Sequence, residues 1–221
     1  MKLLETLREE HVLIDRVLGA FRAYVDALTA GAAADLQDGT RFVAFFTEFA
    51  GRFHHDREER VFFDALVEQA ELPADRGPVY AVTREHAEME AWMSEMAPAL
   101  DHMPQSGDDR ARLRAQAIRY SHALWRHIDA ENSVLYPQGE ERLLLNGVRE
   151  LADRPMNEAE AAAHAYGAVL VARYPAVEDM TLTRGDGCFM CRAHGETCEG
   201  LEAEWWSDLE WDEFYSRDTS D

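Results

Sequence analysis

The sequence predicts an all-α protein: an antiparallel up-down-up-down four-helix bundle over residues 1–147, followed by a C-terminal extension, residues 148–221, of helix and irregular chain. Three observations predict it. Four long segments carry apolar residues in steps that alternate four and three, the spacing of a helix buried along one seam. The links between them are short, which favours antiparallel neighbours. No segment of useful length shows the period-two alternation of a strand.

The first seam, within residues 2–29, reads Leu7, His11, Ile14, Leu18, Phe21, Val25 and Leu28. Gly31 and the Ala/Asp/Gly run to Gly39 end that helix. The second, within residues 40–70, reads Val43, Thr47, Ala50, His54, Glu58, Val61 and Ala65, and Pro73 and Pro78 bracket the turn that follows. The third, within residues 79–103, reads Val79, Val82, His86, Met89, Met93, Met96 and Leu100. Pro98 kinks or ends this helix early, because proline lacks the N–H that the helical ladder needs. A loop from Pro104 to Asp109 leads to the fourth seam, within residues 110–145: Leu113, Ala117, Tyr120, Leu124, His127, Glu131 and Val134, with Pro137 near the helix end. Asn157 to Tyr174 forms a fifth helix, with Asn157 as its cap and Glu160 three residues on to complete a capping box.

Composition narrows the function. The 221 residues suit one domain of about 150 residues plus an extension. Acids outnumber bases 43 to 22, a formal net charge of -21. Phosphate binding needs the opposite sign, so nucleic acid is not expected as a partner. A basic membrane-surface role is disfavoured for the same reason. The opening MKLLETLREEH lacks the apolar core of a signal peptide. The most apolar stretch, residues 159–172, is broken by Glu160, His164 and Gly167 and is too short to span a bilayer. A soluble cytoplasmic protein is expected.

Chemistry concentrates on the seams. Each carries one histidine at a core position: His11, His54, His86 and His127. Two carry a glutamate four residues later, in the pairs His54/Glu58 and His127/Glu131, and positions i and i+4 share a helix face. A buried ionised glutamate is costly unless it is paired or bound to metal. At about 1.5 Å rise per residue, all six side chains fall within roughly two turns of one another in an antiparallel bundle. A lone histidine on an apolar seam is ordinarily a core residue, but four such seams converge here. Imidazole with carboxylate suits iron, zinc or manganese. Two glutamates able to bridge, four capping histidines and a solvent-derived oxo or hydroxo bridge leave open positions for a small ligand. That count favours an iron pair over structural zinc. His55/Glu59 is a competing pair. Aligning EERVFF with ENSVLYP matches Glu58 to Glu131 and selects His54/Glu58, leaving His55 about 100° away at the border of the site or solvent.

His11 within EEHVLIDRVL, His54/Glu58 within FHHDREERVFF, His86 within REHAEMEAWM and His127/Glu131 within HIDAENSVLYP resemble the hemerythrin-like, HHE cation-binding family, over roughly residues 1–145. The resemblance implies a di-iron centre with terminal histidines and two bridging glutamates. Oxygen-carrying members have a second histidine one turn after the third-helix ligand, where this chain has Glu90. Their last ligand is an aspartate five residues after a histidine, where this chain has Glu131, four after His127. The pattern looks more like bacterial members linked to iron, oxygen, peroxide or nitric oxide responses. The resemblance therefore implies a small diatomic or peroxide ligand. A metal- or redox-dependent regulator is the alternative, and iron storage or delivery is a third reading.

Two features lie outside that resemblance. Cys188, Cys191, His194 and Cys198 form C-x2-C-x2-H-x3-C, a spacing that could hold zinc tetrahedrally or serve as redox or plain thiols. Three cysteines within residues 188–198 argue against a disulfide framework. The acidic tail holds Trp205, Trp206 and Trp211, and either docks on the bundle or binds a protein partner.

Overall fold

The computed structural model describes residues 1–32 and 34–175, and these form five helical rods with no strand among them. The first rod is α1 (Lys2–Ala30), closed by Gly31 at φ 71°, a left-handed cap that costs glycine no Cβ strain. The second runs through α2 (Leu36–Ala44), π-helical segments Phe45–His55 and Glu58–Phe63, and α3 (Asp64–Ala70). The third is α4 (Gly77–Met96), which gives way to a 3-10 turn, Ala97–Ala99, at Pro98 as expected. The fourth comprises α5 (Gly107–Ala130), a π-helical segment Glu131–Leu135 and α6 (Tyr136–Leu145). It starts inside the expected loop, because Ser106 and Asp109 build a capping box there. The fifth, α7 (Glu158–Arg173), opens on the anticipated Asn157–Glu160 box.

Every residue of the first, third and fourth seams is buried. The second seam departs from its expectation. Val43, Thr47 and Val61 are only half-buried, and the core is filled instead by Phe42, Phe45, Phe46, Phe49, Phe53, Phe62 and Phe63. The π segments explain this. Their i→i+5 hydrogen bonds admit one extra residue per turn, so the buried face drifts off the three-four pattern.

Apolar side chains form two cores. The larger gathers Ile14 to Leu28 of α1, Phe42 to Phe53, Met89 to Leu100 and Leu113 to Ile128. The smaller joins Leu3, Leu4 and Leu7 to Phe62, Phe63, Leu66, Val79, Val82, Leu135 and Leu143. The starts of α1 and α4 therefore meet the ends of the second and fourth rods. Between the cores lies a polar layer of His11, His54, Glu58, His86, His127 and Glu131.

Helix α7 covers α1, α2 and the first π segment. Gly167 makes this possible, since a Cβ there would lie 2.8 Å from the Phe45 ring. At its far end Arg173 and the Tyr174 hydroxyl (2.8 Å) donate to buried Asp38, which also accepts from Arg41 at 2.6 Å. Burial opposes the Asp38 charge, but these donors hold its carboxyl below the usual range. No described helix is long and apolar enough to cross a membrane. Cys188, Cys191, His194, Cys198 and the tryptophan tail lie outside the described residues.

Candidate metal centre

The polar layer unites all six anticipated residues, each between 0% and 4% exposed. His11 arrives from α1, His86 from α4 and His127 from the end of α5. His54 lies at the end of the first π segment. Glu58 and Glu131 each begin a π segment, so the two His/Glu pairs occupy equivalent places on their rods. Such segments recur at functional sites because the extra residue re-aims a side chain without breaking the rod.

The two carboxylates stand between the imidazoles. Glu58 Oε1 lies 3.4 Å from His54 Nε2 and 3.9 Å from His11 Nε2, while its Oε2 lies 3.5 Å from His86 Nε2. Glu131 Oε2 lies 3.3 Å from His11 Nε2 and 3.2 Å from His127 Nε2, and Oε1 lies 3.9 Å from His86 Nε2. Each glutamate thus spans both halves of the layer.

Every one of these histidines points Nε2 inward because Nδ1 is held from behind. His54 Nδ1 pairs with Glu10 at 2.8 Å, His86 Nδ1 with Glu59 at 2.8 Å, His127 Nδ1 with Glu85 at 2.8 Å, and His11 Nδ1 with Asn132 at 2.9 Å. The holders form a closed ring. The first rod holds the histidine of the second, the second that of the third, the third that of the fourth, and the fourth that of the first. Each holder is also the chain neighbour of a layer residue: Glu10 of His11, Glu59 of Glu58, Glu85 of His86, Asn132 of Glu131. A carboxylate or amide behind a histidine fixes the Nδ1–H tautomer and leaves Nε2 free as a metal donor. Sequence reasoning missed these four holders; the recurring polar neighbour was the available signal.

The electrostatics are those of a site short of positive charge. Burial pushes the Glu131 carboxyl far above its ordinary range, reinforced by the neighbouring Glu58. Glu58 is buried as well, but the surrounding histidines, His54 foremost, hold its carboxyl well below the usual value. The Tyr136 hydroxyl donates to Glu58 Oε1. Burial lowers His11 to about 3. His54 resists burial, because Glu58 and Glu10 raise it to about 9. His11 Nε2, His54 Nε2, Glu58 Oε2 and both Glu131 oxygens are buried without a hydrogen-bond partner. Native proteins rarely leave so many polar atoms unsatisfied in one place. A cation bound among them would satisfy all five, so the donor set fits a metal.

The donors sort into two groups that share Glu58. His11, His54 and Glu58 form one; His55, Glu58, His86 and His127 form the other; within each, the donor atoms lie within 4.8 Å of one another. His55, expected only at the border, therefore stands within reach of the second group's donor atoms. Its ring stacks on His86 at 3.8 Å, nearly parallel at 6°. In a π segment successive side chains fan less widely than the roughly 100° of an α-helix, which brings His55 round beside His54. A cleft of about 280 Å³ leads to this half, lined by His55 and His86 with Met89, Met93, Phe46 and Tyr120, and with Asp56, Glu59 and exposed Glu90 also on its walls. Other histidines stand apart: His102 is exposed beside Asp101, and His164 contacts Phe49 from the surface of α7.

The profile of the hemerythrin HHE cation binding domain matches residues 2–139. The chain belongs to that family. The matched span contains all six layer residues, His55 and the four holders. Cation binding, which names the family, agrees with the unsatisfied donors of this hemerythrin HHE domain. No curated protein and no solved structure matches the chain.

Proposed function

We propose that this hemerythrin-like protein holds a pair of iron ions and receives a small ligand (oxygen, peroxide or nitric oxide) at that pair. The supporting frame is an antiparallel up-down-up-down four-helix bundle over residues 1–147, extended by residues 148–221. His11 and His54 would hold one ion, His86 and His127 the other, and Glu58 and Glu131 would bridge. The observation that carries this reading is Glu58, one carboxylate shared by two separate groups of histidine donors.

Bound iron would supply Lewis acidity and one-electron redox chemistry. The chain's own part is separable. The ring of holders orients four imidazoles. The phenylalanine- and methionine-rich core restricts water, and the cleft of about 280 Å³ beside His86 has room for a small molecule. With soft thiolate donors absent from the layer and carboxylate–imidazole donors present, iron suits the site. On ligand spacing alone, one zinc is proposed at Cys188, Cys191, His194 and Cys198.

Metal analysis of the purified protein tests both. The expected result is about two irons per chain, lost in a Glu58→Ala/Glu131→Ala double variant, and about one zinc that survives it, the ligand count setting each number. Iron retained by the double variant would place it elsewhere.

One observation favours a second reading, a metal-dependent regulator. Arg57, 1% exposed, links Asp153 of the connection to α7 (3.2 Å) with Glu10, the holder of His54. Metal occupancy could thereby bias residues 148–221. Limited proteolysis of that region at equal rates with and without iron counts against it.

A further inference from the structure

The two halves of the layer hold unequal numbers of histidines. His11 and His54 serve one half. His86 and His127 already match them at the other, so His55 is one donor more than symmetry requires. It differs from the other four in three ways. Among the described residues nothing hydrogen-bonds its ring, whereas each of the others is held through Nδ1. It is half-buried, while they are buried. It lines the cleft beside His86.

Resting on the iron-pair reading, we infer that His55 is a displaceable ligand, bound to the second metal ion in the resting protein and yielding its position to an incoming small ligand. A fixed ligand needs a holder to keep its ring in place. His55 has ring contacts alone, stacked on His86 and 5.6 Å from His54 and from His127, and the cleft beside it gives the ring somewhere to go. The exchange is a plain ligand substitution: one metal–nitrogen bond breaks, one bond to the incoming ligand forms, and no electron moves. Its consequence is selectivity. A ligand must outcompete a tethered imidazole, so strong monodentate ligands enter and water or weak anions do not. The observed affinity is the intrinsic one reduced by the fraction of molecules with His55 away.

Azide titration of the diferric protein, followed by absorption, tests this. With His55 away a tenth of the time or less, His55→Ala keeps both irons and binds azide at least about tenfold more tightly than the parent. Added imidazole then raises the azide Kd of the variant back toward the parent value, which a merely structural role would not produce. His55→Gln, similar in size but lacking the imidazole nitrogens, behaves as His55→Ala does. A variant that drops to one iron shows His55 to be a fixed ligand and overturns the proposal. So does a variant with two irons and unchanged azide affinity. A parent protein that binds no iron pair fails at the metal analysis, before any azide is added, and takes the wider reading down with this one.

Discussion

The two sides of the metal layer use the same residue types and behave differently. On the side of α1 and the second rod, His54 is held by Glu10, which is 11% exposed and clamped by two nitrogens of buried Arg57 at 2.9 Å. On the side of α4 and the fourth rod, His86 and His127 are held by Glu59 and Glu85, whose side chains are 38% and 45% exposed. One side is closed and charge-compensated. The other has carboxylates half in water, the surplus His55 and a cleft. The four held histidines alone do not distinguish them. What separates a fixed half from an accessible half is what stands behind each imidazole, since a desolvated pair holds geometry that a solvated one does not.

The largest expected effect comes from breaking the closed side. Arg57→Ala removes the two nitrogens that clamp Glu10, and losing hydrogen bonds to a charged group costs about 2 kcal/mol. Loss of that frame around His54 should weaken iron retention about 10–100-fold in chelator competition. Denaturant unfolding and the chelator titration check both, and the variant matching the parent in either would dissolve the contrast between sides.

A smaller effect separates the two bridging glutamates in the metal-free protein. Glu131 is raised well above its unperturbed 4.5 by burial and Glu58. Above pH 4.5 the folded chain therefore binds a proton that the unfolded chain releases, so this group removes stability as pH rises. Metal-free Glu131→Gln should be more stable than the metal-free parent at pH 7. The gap should close as pH falls toward 4.5. Glu58, held low by its histidines, has the opposite sign, and Glu58→Gln should show no such gain. Urea unfolding at several pH values decides it. The smallest effect is Glu85→Ala, at most about tenfold in iron retention with under about 1 kcal/mol of stability, because its hydrogen bond to His127 faces solvent. A loss as large as that of Arg57→Ala would show the open side to be as rigid as the closed one.

How much was legible follows from helix type. Three seams, from Leu7 to Leu28, Val79 to Leu100 and Leu113 to Val134, are buried throughout because α-helical geometry honours a three-four step. The six layer residues were legible for the same reason, since His54/Glu58 and His127/Glu131 stay on one face across four residues. The second rod was misread at Val43, Thr47 and Val61 because the π segments shift its register. The same shift brought His55 into the layer. Nothing in FFTEFAGRFHH announces a π-helix by composition, because its hydrogen bonds are backbone bonds that tertiary packing selects. Glu10, Glu59, Glu85 and Asn132 were missed because ring-wise pairing between rods has no sequence period.

Those π segments give the chain its slack. The segment Glu58–Phe63 lies between the metal layer and the smaller core, and Glu131–Leu135 does the same on the opposite rod. Each stores one residue that an α-helix of equal height would omit. Deleting a single residue there would let the rod relax to α geometry with its two ends still in phase, whereas the same deletion within α3 would turn everything beyond it by about 100°. The spare residue thus works as a phase adjuster between two otherwise independent gears, and a one-residue deletion should be far better tolerated in these segments than in the α-helical stretches beside them.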